Sequence, residues 1–189
     1  MSTRSNIYLK LKDNTKGKTI KFDISKLPNG MRIEQPYPIP DLKIPKAAQY
    51  IGVYHHSDGY IGGVGKELLK NYKDYDTILN LLSMGDLSSM LDGVVSYRAW
   101  RNENAQPMLI NKSSRVNKYD AEKCKWKKEK MIDESGNLIA EKALREEYAY
   151  LFDGEKWWVS YFKYDKENNT RDRTDWLDLE DEYAKLKNK

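Results

Sequence analysis

The side chains best suited to chemistry lie close together, between His55 and Lys66. An apolar run, Tyr50 to Tyr54, leads into this stretch, and helical spacing begins near Val64. The sequence therefore predicts a strand, a glycine-rich turn and a helix. In such a turn, backbone N–H groups can converge on an anion, helped by the positive end of the helix dipole. We predict an anion-binding site whose candidate ligand-binding residues are His56, Asp58, Tyr60, Gly62, Gly63, Gly65, Lys66 and, from a later segment, Arg98.

The glycine-rich turn matches neither common nucleotide-binding motif. A P-loop requires Gly-x-x-x-x-Gly-Lys followed by Ser or Thr, whereas Tyr60 stands at the first glycine position and Glu67 at the hydroxyl position. The dinucleotide fingerprint Gly-x-Gly-x-x-Gly fails because Leu68 replaces its third glycine. A structural turn without a ligand therefore remains the alternative interpretation.

The two histidines, His55 and His56, are candidates for metal binding or acid–base chemistry. Adjacent residues of a strand point to opposite faces, so the pair cannot bind one metal ion without a bend. Cys124 is the only further His or Cys ligand in the chain, so we predict neither a metal nor a cofactor. A histidine general base beside Asp58 lacks a recognisable nucleophile. We predict no catalytic residues, and we interpret Cys124 as a surface cysteine.

Composition favours a folded, well-solvated protein. The chain of 189 residues has 39% hydrophobic residues, a net charge of +4 and a mean hydropathy of −0.86. From Lys112 to Lys130 there are eight Lys/Arg residues against three acids. Such a segment can attract phosphate backbones, although a solvated face is the commoner explanation. The sequence has no signal-peptide pattern and no apolar run long enough to span a membrane, so we expect a cytoplasmic protein with no membrane partner.

Residues before the His55 stretch predict strands and a connection. Apolar side chains alternate from Ser5 to Lys12 and again from Thr19 to Ile24, which predicts an N-terminal hairpin. Residues 25–46 hold five of the six prolines, and proline removes the N–H donor that a strand or helix needs. We expect an extended, irregular connecting segment there, acting as a connector, an insertion or a binding loop.

Helices should follow the Tyr50 strand. Residues 64–72 place apolar side chains on one helical face, and Asp76 is the predicted N-cap of a second helix that ends at Gly85. Asp86 is expected to cap a further short turn. The β-branched and aromatic run at residues 94–100 predicts another strand.

The following residues give weaker signals. Residues 101–120 are polar and aperiodic, which predicts a loop. Residues 120–146 contain a turn signal at 133–137 that divides the block, and propensity favours a helix over 140–146.

The clearest signal is an Asp153-Gly154 turn between two strongly aromatic runs, which predicts a hairpin. The side chains that share its core face are predicted to be Tyr148, Tyr150, Phe152, Trp157, Val159 and Tyr161. A C-terminal helix at residues 175–188, capped by Asp175, is expected to cover the other face. Together these elements predict one α+β domain over residues 1–189, with an antiparallel or mixed sheet of five to seven strands and helices on one face.

Four pieces of the chain resemble a family of small, largely uncharacterised proteins of bacteriophages and prophages. They are an opening like Ser2-Thr-Arg-Ser-Asn-Ile7, the block His55-His-Ser-Asp-Gly-Tyr60 with Gly63-Val-Gly-Lys-Glu-Leu-Leu-Lys-Asn-Tyr72, the segment from Leu81 to Ser88, and Tyr148-Ala-Tyr-Leu-Phe-Asp-Gly-Glu-Lys-Trp157. The family's Tyr-His-Arg-Asp-Arg-Gly-Glu is matched only in part by Tyr97-Arg-Ala-Trp-Arg-Asn-Glu103. The resemblance implies a phage origin and a shared fold, and it assigns no catalytic residue.

We therefore expect a phage-encoded, non-enzymatic binding protein that acts in the bacterial host cytosol and interferes with a host process such as a defence system. Its partner is expected to be a bacterial host protein or a small anionic nucleotide. Two alternatives stay open: a nucleotide-processing enzyme that uses His55 or His56 with Asp58, and a basic nucleic-acid-binding protein that uses the segment from Lys112 to Lys130.

Overall fold

A computed structural model describes residues 3–28, 30–34, 41–91, 93–97, 106–120, 123–141, 146–165 and 167–188. The strands are β1 Ser5–Lys10, β2 Thr19–Ile20, β3 Arg32–Glu34, β4 Leu42–Lys43, β5 Tyr50–His55, β6 Leu87–Ser89, β7 Val94–Tyr97, β8 Met108–Ile110, β9 Arg115–Asp120, β10 Lys125–Lys130, β11 Tyr148–Phe152, β12 Trp157–Asp165, β13 Thr170–Arg173 and β14 Leu177–Asp178. The α-helices are α1 Lys66–Asn71, α2 Tyr75–Ser83 and α3 Leu179–Lys187. A π-helical turn, Ile61–Gly65, precedes α1.

In the described part of the chain, ten strands form one mixed sheet, so the predicted α+β class is confirmed while the predicted strand number was too low. Its order is β13-β12-β11-β1-β5-β6-β7-β3, with β8 beside β5 and β14 beside β12. Strand β1 lies in the middle, antiparallel to β5 and parallel to β11. The predicted N-terminal hairpin is wrong, because β2 pairs with β4 instead. Strand β1 suits the centre of the sheet because it is buried on both faces: Ile7 on one face and Tyr8 on the other are inaccessible to solvent.

One face of the sheet is covered by α1 and α2, as predicted, and also by α3. Helix α2 begins after Asp74, whose carboxylate accepts a hydrogen bond from the amide of Thr77 at 2.9 Å. The predicted cap, Asp76, lies in the first turn instead. The apolar side chains that meet on this face include Ile7, Leu9, Ile51, Val53, Tyr150, Phe152, Trp157 and Val159 from the sheet and Leu68, Ile78, Leu81, Leu82 and Leu179 from the helices.

The other face of the sheet carries a second, smaller core. Side chains from four strands meet the loop at residues 131–140 in a cluster of Tyr8, Tyr50, Ile110, Met131, Ile132, Leu138, Ala149 and Leu151. The predicted covering by the C-terminal helix is wrong, because α3 packs on the helical face through Leu179. The helix also begins later than predicted, since Asp178 is its N-cap. Trp176, just before it, does pack on the second core and donates a hydrogen bond to the carbonyl of Leu138 at 2.8 Å.

The terminal hairpin is confirmed. Strands β11 and β12 pair antiparallel, with Phe152 opposite Trp157 across the Asp153-Gly154 turn. Gly154 has a φ of 112°, a conformation that side chains other than glycine rarely adopt.

Other predictions need correction. The turn expected at Asp86 is strand β6, and the loop expected at 101–120 contains β8 and β9. The segment 25–46 includes β3 and β4, so its described part is not wholly irregular. The predicted strand at 94–100 is observed as β7 as far as Tyr97, and its remainder lies outside the described residues. Most of the helix predicted at 140–146 also falls outside them. Across the part of the chain that is described, no helix is long and apolar enough to cross a membrane.

Candidate functional site

Several backbone amides of the glycine-rich turn between β5 and α1 donate hydrogen bonds within the turn itself. The N–H groups of Gly63 and Gly65 donate to the carbonyl of Tyr60 at 3.0 and 3.4 Å, and that of Val64 donates to the carbonyl of Asp58 at 3.1 Å. These are three of the amides from Gly62 to Gly65 on which the anion-site prediction depends. Because the three are hydrogen-bonded within the turn, an anion would have to replace those bonds to use them.

Glycines in this turn are required by close packing. A Cβ atom on Gly63 would lie 2.3 Å from the carbonyl oxygen of Asp58, which no real structure tolerates. A Cβ atom on Gly65 would lie 3.2 Å from Leu179 and 3.3 Å from the ring of Tyr150. The hydroxyl of Tyr150 donates to the carbonyl of Gly59 at 2.8 Å and so fastens the turn to the core. Packing thus explains two of the predicted ligand-binding glycines.

The two histidines face opposite sides of the sheet, as predicted. His55 is fully buried, and neither of its ring nitrogens has a hydrogen-bond partner. Burial, with a smaller contribution from His56, lowers the pKa of His55 to about 3, so the ring is neutral near pH 7. His56 is half-buried on the other face, where its Nδ1 atom lies 2.9 Å from the hydroxyl of Tyr54. Within the described ranges, no group of three or more His, Cys, Asp or Glu side chains could hold a metal ion.

A cavity of about 670 Å³ opens between the glycine-rich turn, strands β11 and β12, and helix α3. We call it the Tyr60 cavity. Tyr148 and Tyr161 form one wall, with their rings stacked at a centroid distance of 5.7 Å. The remaining lining residues are Tyr60, Ile61, Gly62, Lys163, Glu182, Lys185, Leu186 and Asn188. The cavity therefore combines aromatic faces with two ammonium groups and one carboxylate.

Charges in the Tyr60 cavity are organised around Glu182. Its carboxylate accepts hydrogen bonds from the hydroxyl of Tyr161 at 2.8 Å and from the ammonium of Lys185 at 2.6 Å. Burial by itself would raise the pKa of Glu182, but these hydrogen bonds together outweigh burial and hold the pKa below its usual value. Lys163 is exposed, with its Nζ atom 5.7 Å from the centroid of the Tyr161 ring. Among the described lining residues, two ammonium groups thus stand against one carboxylate.

Only part of the predicted site meets at this cavity. Tyr60 and Gly62 line it, whereas Gly63 and Gly65 are buried in the turn. His56 and Asp58 do not line it, and Lys66 is exposed at the start of α1. Arg98 lies outside the described residues. The residues that sequence reasoning missed are Tyr148, Tyr161, Lys163, Glu182 and Lys185. The sequence did predict that the two tyrosines share one face of the hairpin, and this was the signal from which the cavity wall could have been identified.

A second candidate surface involves the basic segment. Strands β9 and β10 form a separate two-stranded hairpin, which we call the arm, defined as Arg115–Asp120 and Lys125–Lys130. A cleft of about 780 Å³ separates the arm from β12 and β13. Tyr119 and Trp126 line the cleft from the arm, and Phe162, Arg171 and Arg173 line it from the sheet.

No family model, no curated protein and no solved structure matches the chain.

Proposed function

We propose that this is a phage-encoded, non-enzymatic binding protein that interferes with a bacterial host process, such as a defence system, by sequestering a small anionic nucleotide in the Tyr60 cavity. The observation that carries the proposal is the stacked pair Tyr148 and Tyr161 beside the ammonium groups of Lys163 and Lys185. The phage context comes from the sequence resemblance alone.

Each part of the cavity suits one part of a nucleotide. Aromatic faces attract planar rings, so the tyrosine wall supports binding of a nucleobase. Lysine ammonium groups are point charges that bind phosphate. The volume of about 670 Å³ lies within the range of small-ligand sites, roughly 300–1,000 Å³. Lys163 is the more available cation, because Lys185 is already bonded to Glu182.

The state of the histidines supports binding without turnover. A general base must reach the proton that it removes and must titrate near the working pH. His55 is inaccessible to solvent, and its pKa of about 3 lies far below that range. His56 does not line the Tyr60 cavity.

A thermal-shift screen of mono-, di- and cyclic nucleotides tests the proposal. A nucleotide at a hundred times its dissociation constant adds about 2.7 kcal/mol to the free energy of unfolding, which raises the Tm by roughly 5–11 °C for a chain of this size. Lys163→Ala should reduce that rise and leave the Tm of the unliganded protein unchanged. Lys187→Ala is the matched control, because Lys187 is also exposed but lies outside the cavity lining, with its ammonium over the ring of Tyr183.

Mass spectrometry of molecules released by heat from protein captured in host lysate distinguishes the alternatives. An unaltered nucleotide supports sequestration. A nucleotide converted with turnover, and turnover abolished by His56→Ala in a folded protein, would establish the enzyme alternative instead. Failure of every nucleotide at millimolar concentration to shift the Tm contradicts the proposal. A stoichiometric host protein that Lys163→Ala still retains assigns the interference to a protein contact elsewhere.

A further inference from the structure

The arm presents two chemically different faces, and its pairing register separates them. Trp126 pairs with Tyr119, and Lys130 pairs with Arg115. Because directly paired residues in an antiparallel hairpin share a face, alternate residues of both strands form the same surface. We call this the outer face; it consists of Arg115, Asn117, Tyr119, Trp126, Lys128 and Lys130, all of them exposed.

The two acidic residues of the arm strands lie on the opposite face. Asp120 and Glu129 both contact Lys127, at 3.7 and 2.8 Å. Among the described strand residues, the outer face therefore carries three cations and no acid. A basic segment that merely keeps the protein solvated has no need to place its acids on one side.

The outer face also exposes aromatic surface. Tyr119 is 49% exposed and Trp126 is 64% exposed, and their rings meet edge to face at a centroid distance of 5.4 Å. Water contact with so much apolar area is unfavourable, and large exposed aromatics on a monomer surface usually mark a recognition site. Neither ring belongs to either hydrophobic core.

Cations and aromatics are arranged in sequence along the arm. Arg115 and Lys130 lie at its base, Lys128 is two residues further, and the aromatic pair is four residues from the base. At a strand rise of about 3.3 Å per residue, the rings lie about 7 Å from Lys128 and about 13 Å from Arg115 and Lys130. The cleft that the rings line also contains Arg171, whose guanidinium carbon lies 4.9 Å from the centroid of the Phe162 ring, together with Glu141, Asp172 and Asp175.

We propose that the outer face of the arm binds single-stranded nucleic acid, with phosphates on Arg115, Lys128 and Lys130 and a base stacked on the Tyr119–Trp126 pair. Charge complementarity selects a polyanion, and the exposed rings select one whose bases are free to stack. Duplex nucleic acid hides its base faces inside the helix, and an acidic peptide offers carboxylates without planar rings. This activity is independent of nucleotide sequestration, because the arm contributes no residue to the Tyr60 cavity.

Fluorescence anisotropy with the full chain tests this proposal. The probes are labelled oligothymidylate and oligouridylate of about 16 nucleotides, the upper end of the site size of one single-strand-binding domain. Three phosphate contacts predict that log K falls with log salt at a slope of about −2. The two probes distinguish DNA from RNA as the source of the shared chemistry.

Variants separate the charged contacts from the stacking contact. Lys128→Ala should weaken binding and make the salt slope shallower by about 0.7. Lys125→Ala removes the same charge from the same strand but from the opposite face, so it should leave both quantities close to wild type. Trp126→Ala should weaken binding roughly 5- to 150-fold without changing the slope, and Trp126→Phe should recover most of the loss. Lys163→Ala, in the other cavity, should bind both probes normally.

Several outcomes would overturn the assignment. Equal effects of Lys125→Ala and Lys128→Ala mean that the attraction is not specific to one face. Unchanged affinity in Trp126→Ala, or competition by polyglutamate as effective as that by unlabelled oligonucleotide, means that the arm binds polyanions in general. Tighter binding of a duplex than of the single strand removes the role of stacking. The Tm of each arm variant is measured alongside, and the salt slope reports the contact independently of any change in the Tm.

Discussion

His55 should make the protein less stable as the pH falls from about 7 to 5. Its folded-state pKa of about 3 lies below the ordinary value of 6.5, because the buried ring cannot easily carry a charge. Below pH 6.5 the unfolded chain binds a proton that the folded chain does not, so the stabilising contribution is complete above pH 6.5 and is lost as the pH falls towards 3. The slope approaches 1.36 kcal/mol per pH unit, which amounts to about 2 kcal/mol between pH 6.5 and 5.

His55→Leu removes this dependence. Both ring nitrogens lack a hydrogen-bond partner, so replacing the ring by an apolar side chain leaves no other group unpaired. At pH 7 the variant should therefore be as stable as the wild type or more stable. Urea denaturation at pH 7, 6 and 5 measures the free energy of unfolding in a range where most carboxylates stay ionised. His56→Gln is the matched control, because it removes the other histidine and should keep the slope that His55 produces.

Equal slopes in the wild type and in His55→Leu would refute the reasoning. Such a result would mean that the protonation of His55 does not differ between the folded and unfolded chains. Carboxylates whose folded-state pKa is lowered do not account for a slope between pH 7 and 5; Asp178 is one of them, and its pKa is lowered chiefly by its hydrogen bond with Lys156. Stability from these groups is present above their unfolded pKa and is lost only at lower pH, as the pH falls through the folded-state pKa.

Substitutions at two further positions, Tyr150 and Gly52, test the packing around the turn and the sheet. Tyr150→Phe leaves the carbonyl of Gly59 without its 2.8 Å donor, which should lower the free energy of unfolding by about 1–3 kcal/mol in a urea titration. Tyr164→Phe, at an exposed position, is the control and should lower it by less than about 0.5 kcal/mol. Tyr150→Asp should abolish the cooperative melt, and a near-wild-type melt would contradict the core assignment. Gly52→Ala should lower the free energy of unfolding by about 3 kcal/mol or more, because the new Cβ atom would lie 2.4 Å from the ring of Tyr8. If that clash is the cause, the same change in a Tyr8→Leu background should lower it far less.

Local signals predicted local structure well. The Asp153-Gly154 turn and its aromatic strands were recognisable because neighbouring residues determine both the turn and the strand parity. The helices after the glycine-rich turn were predicted for the same reason, although the N-cap of α2 was placed two residues late. Strand β1 was identified correctly from its alternation, but its partners were not, because pairing depends on residues far away in the chain.

The arm was missed as a structure because it buries little. Its strands lack the apolar alternation from which strands are predicted, since the outer face is exposed and the opposite face is only partly covered. Its cations were recognised in the sequence as a possible contact with nucleic acid. The placement of both acids on one face depends on the register between β9 and β10, which composition does not specify.

The Tyr60 cavity was also only partly predictable. Tyr60 and Gly62 were predicted as ligand-binding residues, and the cavity contains them. Lys163 and Glu182 reach it from a strand and a helix that had been assigned to structure alone. The glycines were predicted as residues of an anion-binding turn, whereas Gly63 packs against the carbonyl of Asp58 and Gly65 against the ring of Tyr150.

Because β1 lies between β5 and β11, its two edges can pair only at different times during synthesis. Ser5 pairs with His55 on one side and with Tyr148 on the other, and the second partner lies 143 residues further along the chain. At about 5–20 residues per second, a ribosome takes roughly 7–30 s to make that interval. Once β5 has been made, β1 can pair with it, but until β11 has been made the other edge of β1 has exposed N–H and C=O groups, which can pair with another chain. The risk of aggregation therefore ends only when the terminal hairpin arrives, so slower synthesis prolongs the vulnerable state of this protein.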